Sequence, residues 1–228
     1  MTGSLILTTL LLFQGAGAQS SASAAADTAN PPIIDNERVT VWSPAPALTN
    51  RPYDAVVVTV AGGQPATANA YFQPAGSKEP VPIAPLEIQV GAEVAGGKAL
   101  DPTVKMLGNE AAARSLRVEL KQSKAPLPNE TGFPDAFPRP GIFKMLDKGN
   151  FTVWDYRWTP GEPTPLHFHT KDVVVMFLEN GSLISTTPDG KATTNTHQAG
   201  GVKFNRADRA HTETLPEGSQ RAIIVELK

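Results

Sequence analysis

The chain has no cysteine. That excludes a disulfide framework, thiol catalysis and a lipid anchor built on cysteine. Charge of either sign is sparse and nearly balanced, with 20 Lys and Arg against 22 Asp and Glu and a net charge of −2. This balance gives no electrostatic case for nucleic acid or an acidic membrane as partner. No long amphipathic helical pattern occurs, and there is no nucleophile elbow, phosphate loop or dinucleotide fingerprint. Histidine is scarce too. The four that exist, His167, His169, His197 and His211, all lie in the second half.

What is present points to a turn-rich globular chain. Pro (21) and Gly (19) are frequent enough to imply many turns and few long helices. The first charged residue is Asp27. Before it, Leu5–Phe13 (LILTTLLLF) is an apolar run too short to cross a bilayer as a helix. Ala16-Gly17-Ala18 then supplies a small-x-small cleavage pattern before Gln19. Residues 1–18 therefore read as a signal peptide, which implies a secreted or periplasmic protein, although no Lys or Arg precedes the run. Residues 19–35, rich in Ala and Ser, read as a flexible linker. An exported protein without disulfides must be stable through its core alone, and a chain of this size can bury one.

The remainder contains a repeat. Arg38–Gly63 can be laid on Asn150–Gly181, so that Val41-Trp42 falls on Val153-Trp154 and Asp54 on Asp172. Each half then closes on a similar octapeptide, RSLRVELK (Arg114–Lys121) and RAIIVELK (Arg221–Lys228). The same three matches in the same order argue for a duplicated unit. This divides the chain into 36–121, a Pro-rich linker 122–141, and 142–228. Between Trp and Asp the second copy is longer, and the added loop carries His167 and His169. The first half has no histidine.

The second half reads as all β. Its run FTVWDYRW is aromatic and β-branched, DVVVMFL is a continuous apolar run of strand length, and Asn180-Gly181 is a tight-hairpin signal. Short strands at regular spacing suggest a sandwich or barrel. In the first half a short helix is expected over GNEAAARSL (Gly108–Leu116) from its helix-forming residues.

At the residues that carry chemistry, the second half resembles the cupin superfamily. That family's first motif runs Gly, five residues, His-x-His, three or four residues, Glu, six residues, Gly. Gly161, His167, His169 and Gly181 match it, while the Glu position, counted back from Gly181, is Val174. The second motif runs Gly, five residues, Pro-x-Gly, two residues, His. Gly200 and His211 match, with Arg206-Ala207-Asp208 in place of Pro-x-Gly. The resemblance implies tandem cupin-like jelly-roll barrels in a bicupin-like arrangement. The first would be a degenerate half and the second a half with a metal at the barrel mouth.

Strand geometry gives the motif a physical reason. Residues i and i+2 point to one face, so His167 and His169 can aim inward together while a neighbouring strand brings His211 opposite. Three imidazoles at one point bind a divalent transition metal such as Fe, Mn or Zn and leave positions open. Asp172 and Glu213 are the candidate catalytic carboxylates. Asp172 shares parity with Val174, and Glu213 shares parity with His211, where it could act as a fourth ligand or a base. Asp172 has an alternative structural role, because Asp54 holds its place in the copy without histidines. His197 is expected at the surface. Trp154, Tyr156 and Trp158 read as core or pocket lining. Lys171, Arg206 and Arg209 are cations that could draw an anion to the mouth. The expected partner is a small-molecule ligand or substrate, with no nucleic acid and no membrane after signal cleavage. Sheet-edge pairing leaves a homodimer and an internal pairing of the two halves both open. Three functional classes stay open: an oxygen-dependent dioxygenase-like oxidoreductase acting on a small organic acid or diketone, as the resemblance implies; a non-catalytic module binding a small ligand or sugar; and a purely structural role with the histidines unoccupied.

Overall fold

The computed structural model describes residues 31–43, 45, 51–61, 66–88, 105–106 and 114–228. The expected signal peptide and residues 19–30 of the expected linker lie outside the described residues. So does most of the short helix expected after Asn109, and its last three residues, Arg114, Ser115 and Leu116, are strand. That strand is half of an antiparallel ladder, and long-range pairing there overrides local helix preference.

The described residues form strands and turns, as the all-β reading requires. In the first half these are β1 (Ile34–Asp35), β2 (Val39–Trp42), β3 (Ala55–Ala61), β4 (Ala66–Gln73), β5 (Val81–Ile88), β6 (Lys105–Met106) and β7 (Arg114–Leu120). In the second half they are β8 (Ile142–Asp147), β9 (Phe151–Trp158), β10 (His167–His169), β11 (Val173–Phe177), β12 (Gly181–Thr186), β13 (Ala192–His197), β14 (Gly201–Asn205), β15 (Arg209–Thr214) and β16 (Gln220–Leu227). Three sheets result, ordered β1-β2-β7-β3-β4-β5, β6-β14-β11-β16-β9-β8 and β10-β15-β12-β13. Ile34 and Asp35, placed by their sequence in the linker, pair with Val41 and Thr40.

The internal repeat is visible in the pairing. The rows Val41–Val118–Val56 and Val153–Val225–Val174 occupy equivalent places in the two large sheets. The Leu120 amide donates to the Asp54 carbonyl, as the Leu227 amide does to that of Asp172. Lys121 pairs with Asp35, and Lys228 with Asp147. The four-stranded sheet has no counterpart in the first half among the described residues. Since that sheet carries the histidines, the described residues of the first half do not include the layer on which the second half builds its site.

Alternation sorts the large sheet of the second half into two buried faces. Phe151, Val153, Val174, Met176, Ile223 and Val225 face away from the four-stranded sheet and pack with Val39, Val41, Val56, Val58, Leu116 and Val118 of the first half. Trp154, Tyr156, Trp158, Val175, Phe177 and Ile224 face the other way and form a second core with Leu183 and Leu215 of the four-stranded layer. With both faces covered, β11 and the Ala222–Val225 stretch of β16 read as continuous apolar runs instead of alternating ones. The first half therefore covers the back of the sheet whose front lines the site.

The segment 122–141, expected to join the halves as a linker, also packs along β10. The Phe168 amide donates to the Pro134 carbonyl at 2.9 Å, and the Ala136 amide donates to the Phe168 carbonyl at 2.9 Å. Phe137 stacks on Trp154 with ring centroids 5.6 Å apart. These contacts bring Arg139 to the site.

Candidate metal centre

The histidines are placed by one ladder. Strands β10 and β15 run antiparallel with His167 opposite His211 and His169 opposite Arg209. Parity then puts His167 and His169 on one face with Arg209, His211 and Glu213. The approach to β10 is fixed by a turn at Gly161, whose φ of +77° favours glycine and whose amide donates to the Leu215 carbonyl at 2.7 Å. Beyond it the Thr164 amide donates to the Glu213 carbonyl, and the Glu213 amide donates to Thr164 Oγ1, each at 2.8 Å. At the other end, Asp208 adopts a φ of 64° and its amide donates to the His169 carbonyl at 2.9 Å. Asp208 occupies the third position of the missing Pro-x-Gly. Aspartate is among the few side chains that tolerate this left-handed turn, so the departure from the motif leaves the turn intact. Gly181 answers to close packing: a Cβ there would lie 2.1 Å from Gln220 Oε1.

The three imidazoles converge. His169 Nε2 lies 3.2 Å from His167 Nε2 and 3.2 Å from His211 Nε2. Two nitrogens, each about 2.0–2.1 Å from a shared ion, stand this far apart when they subtend about 100° at it. All three rings are buried. Burial pushes the pKa of each below its ordinary value, His167 to about 4, with neighbouring Arg139 or Arg209 adding to the effect. The rings are therefore neutral at pH 7, the state a metal requires. His167 Nδ1 donates to the Pro165 carbonyl at 2.7 Å, and His211 Nδ1 contacts Ser185 Oγ at 3.2 Å. Holding the outer nitrogen this way turns Nε2 and its lone pair inward. The donor set and its spacing fit a divalent transition ion.

Glu213 joins the site but is already engaged. Its Oε2 accepts from Arg139 Nη2 and from Trp158 Nε1, each at 3.2 Å, and its Oε1 lies 4.0 Å from His211 Nε2. Burial opposes its ionisation. His211, Arg139, His167 and Arg209 together outweigh that and bring the pKa down to about 2. With the imidazoles neutral, Arg139, which bonds it directly, and Arg209 are the cations that hold Glu213 ionised.

Asp172 is a correction. The expectation that it approaches the metal from one step nearer the mouth fails, because its parity leads to the other face of the sheet. It forms a buried ion pair with Arg38 at 3.3 Å, and its Oδ1 accepts from the Ala207 amide at 2.7 Å. Val174, the counted Glu position, faces the first half as well. The β11 residues that line the cavity are Val173, Val175 and Phe177, so the inner wall is apolar where the family motif would place a carboxylate.

Other expectations also shift. His197 is buried instead of exposed, stacked on Phe177 at 3.7 Å, and it lines the cavity without joining the trio. Lys171 is tied to Glu226 and Arg206 to Glu37, while Arg209 lines the cavity. Sequence reading missed Arg139 altogether. Its Nη1 donates to His167 Nε2 at 3.0 Å, and its guanidinium lies 4.2 Å from the Tyr156 ring centroid. It sits in a Pro-rich stretch with no strand pattern, so no spacing rule pointed to it.

No protein-family model matches the chain, and no curated protein matches it. Solved structures do. A cupin domain from Bordetella pertussis is 26% identical over 41% of this chain and 99% of its own, with a TM-score of 0.36. A cupin 2 conserved barrel domain protein from Leptotrichia buccalis is 12% identical over 87% of this chain and 88% of its own, with a TM-score of 0.46. A putative glyoxylate-induced protein from Pseudomonas aeruginosa is 14% identical over 87% of this chain and 79% of its own, with a TM-score of 0.49. The strand order described above, with two antiparallel sheets closed over one core and three inward histidines, is a cupin-type jelly roll. Fold and histidine cluster together are compatible with a metal-binding cupin.

Proposed function

We propose that this is an exported metal-dependent cupin. His167, His169 and His211 would hold Fe, Mn, Zn or a similar ion, and the enzymatic reading is an oxygen-dependent dioxygenase-like reaction on a small organic acid or diketone. The observation that carries the metal reading is the convergence of three buried Nε2 atoms at 3.2 Å spacings, with outer nitrogens of two rings already engaged. A divalent ion there would supply Lewis-acid activation of a chelating ligand at its open positions. Around it, the apolar wall of Val173, Val175, Phe177 and Ile224 would exclude water, and Trp158 and Arg139 would keep Glu213 oriented. Export rests on the sequence pattern of residues 1–18.

One observation favours a second reading, a non-catalytic binding module. Glu213, its pKa brought down to about 2 and its Oε2 committed to two donors, is a poor proton acceptor at neutral pH. Elemental analysis of protein purified without added metal or affinity-tag nickel tests the metal reading, and a metal-free protein that takes up none on titration overturns it. Oxygen uptake with a panel of small acids and diketones then separates enzyme from binder.

A further inference from the structure

The charges lining the cavity do not balance. Arg139, Lys203 and Arg209 line it, and Glu213 is the one carboxylate among the described lining residues. Glu213 is engaged by Arg139. Arg209 feels Glu213 and Asp172 at longer range but makes no ion pair at contact distance among the described residues. Its Nε donates to the Arg206 carbonyl at 2.6 Å, while its Nη2 is buried with no hydrogen-bond partner among the described residues. A guanidinium N–H taken out of water and left unmatched is costly, and such groups mark places where something else binds. A neutral trio of ligands would leave a bound divalent ion uncompensated as well, so the cavity's excess of positive charge would grow. The opposite wall is apolar, built from Val173, Val175, Phe177, Leu183 and Ile224.

We propose that the cavity binds a small organic monocarboxylate, with its carboxylate anchored on the unpaired guanidinium edge of Arg209 and its apolar body against the β11–β16 wall. This deepens the metal-centre reading, because the ligand occupies the same cavity and rests on it for any chemistry. The planar fork of arginine matches a carboxylate, and Lys203 adds charge without directional demand. The apolar wall selects an organic acid over inorganic phosphate, which has nothing to place there.

The test is calorimetric titration of the full-length mature protein, zinc-loaded and chelator-stripped, with benzoate, its neutral isostere benzamide, and inorganic phosphate. Benzoate is expected to bind at least about tenfold more tightly than either of the others, the loss expected when a charge-assisted contact is removed. Arg209→Gln should lower benzoate affinity by at least about tenfold while metal content stays at the wild-type level, and Arg206→Gln, which changes an exposed residue, should leave it unchanged. Equal binding of benzoate and benzamide, equal binding of phosphate, no benzoate binding, or full binding by Arg209→Gln each overturns the proposal. Should Arg209→Gln fail to fold, Arg209→Lys keeps the charge, and the benzoate-to-benzamide ratio of the wild type still decides. Failure of the metal reading looks different: no zinc is taken up, yet the stripped protein still prefers benzoate and depends on Arg209.

Discussion

Replacing Asp172 by Asn should destabilise the protein severely and leave its metal content alone. Asp172 and Arg38 are both almost fully buried, and their ion pair measures 3.3 Å. Burial pushes the Arg38 pKa down, and Asp172 and Glu37 counteract this. Asparagine keeps an oxygen to accept from the Ala207 amide but removes the charge, so Arg38 is left buried without its partner. Breaking a buried pair by removing one member costs about 3–5 kcal/mol. In a domain of this size each kcal/mol is worth roughly 2–4 °C in Tm, so a fall of about 6–20 °C is expected. The double variant Arg38→Met/Asp172→Asn should recover most of the loss, since exchanging a buried pair for uncharged side chains is often neutral or better. Asp54→Asn, at the equivalent place in the other repeat, should cost about 1 kcal/mol or less, because its carboxylate meets the neutral Asn150 amide at 3.4 Å and an exposed amide at Ala75. The assay is thermal unfolding by circular dichroism beside elemental analysis. A Tm within about 2 °C of wild type would refute the reasoning, as would metal loss from a fully folded Asp172→Asn protein.

Other outcomes follow from the same structure. His169→Ala removes the ring within 3.2 Å of both others and should abolish stoichiometric metal binding in elemental analysis; retention of full metal counts against the trio. Arg139→Gln should raise metal affinity, by about tenfold or more, because Arg139 Nη1 occupies the same His167 lone pair that a metal needs and its charge opposes a cation there; a titration showing weaker binding contradicts this competition. Phe151→Ala, at a fully buried site between the two large sheets, should cost about 3–5 kcal/mol in urea unfolding, and a loss below about 1 kcal/mol would mean the halves do not share a core. Asp147 has its pKa lowered to about 2, first by Lys228 and then by Lys144. A depressed carboxyl stabilises above its unfolded value and loses that contribution as pH falls. The Tm advantage of wild type over Asp147→Asn, small because the carboxylate is half exposed, should therefore vanish between about pH 4 and pH 2; an advantage that grows on acidification contradicts the sign.

Much of the site was legible because strands obey a period of two. His167 and His169 could be assigned to one face from spacing alone, His211 was added through the resemblance to the family's second motif, and the ladder of β10 and β15 sets it opposite His167. The repeat was legible for a similar reason: Val41, Val56 and Val118 match Val153, Val174 and Val225 in sequence and stand in matching cross-strand rows. The parity rule also explains the failure at Asp172. Parity links Asp172 to Val174 correctly, but it cannot say which face looks toward the histidines when both faces are buried. Hence Val174, counted as the vacant Glu position, belongs to the wall against the first half. His197 was misread because its polar, Thr-rich setting gives no hint that Phe177 would stack over it.

The sequence by itself determined the all-β character, the recurrence of one strand pattern in both halves and the His-x-His pair, since each is a matter of local spacing and side-chain type. The tertiary structure alone decided which face of β11 meets the cavity, and that Arg139 arrives from a Pro-rich connection. It also decided that Arg209 is drawn inward while Arg206 and Lys171 pair elsewhere. Those outcomes depend on which surfaces pack together across long sequence separations, and burial on both sides of a strand erases the pattern from which a face could be read.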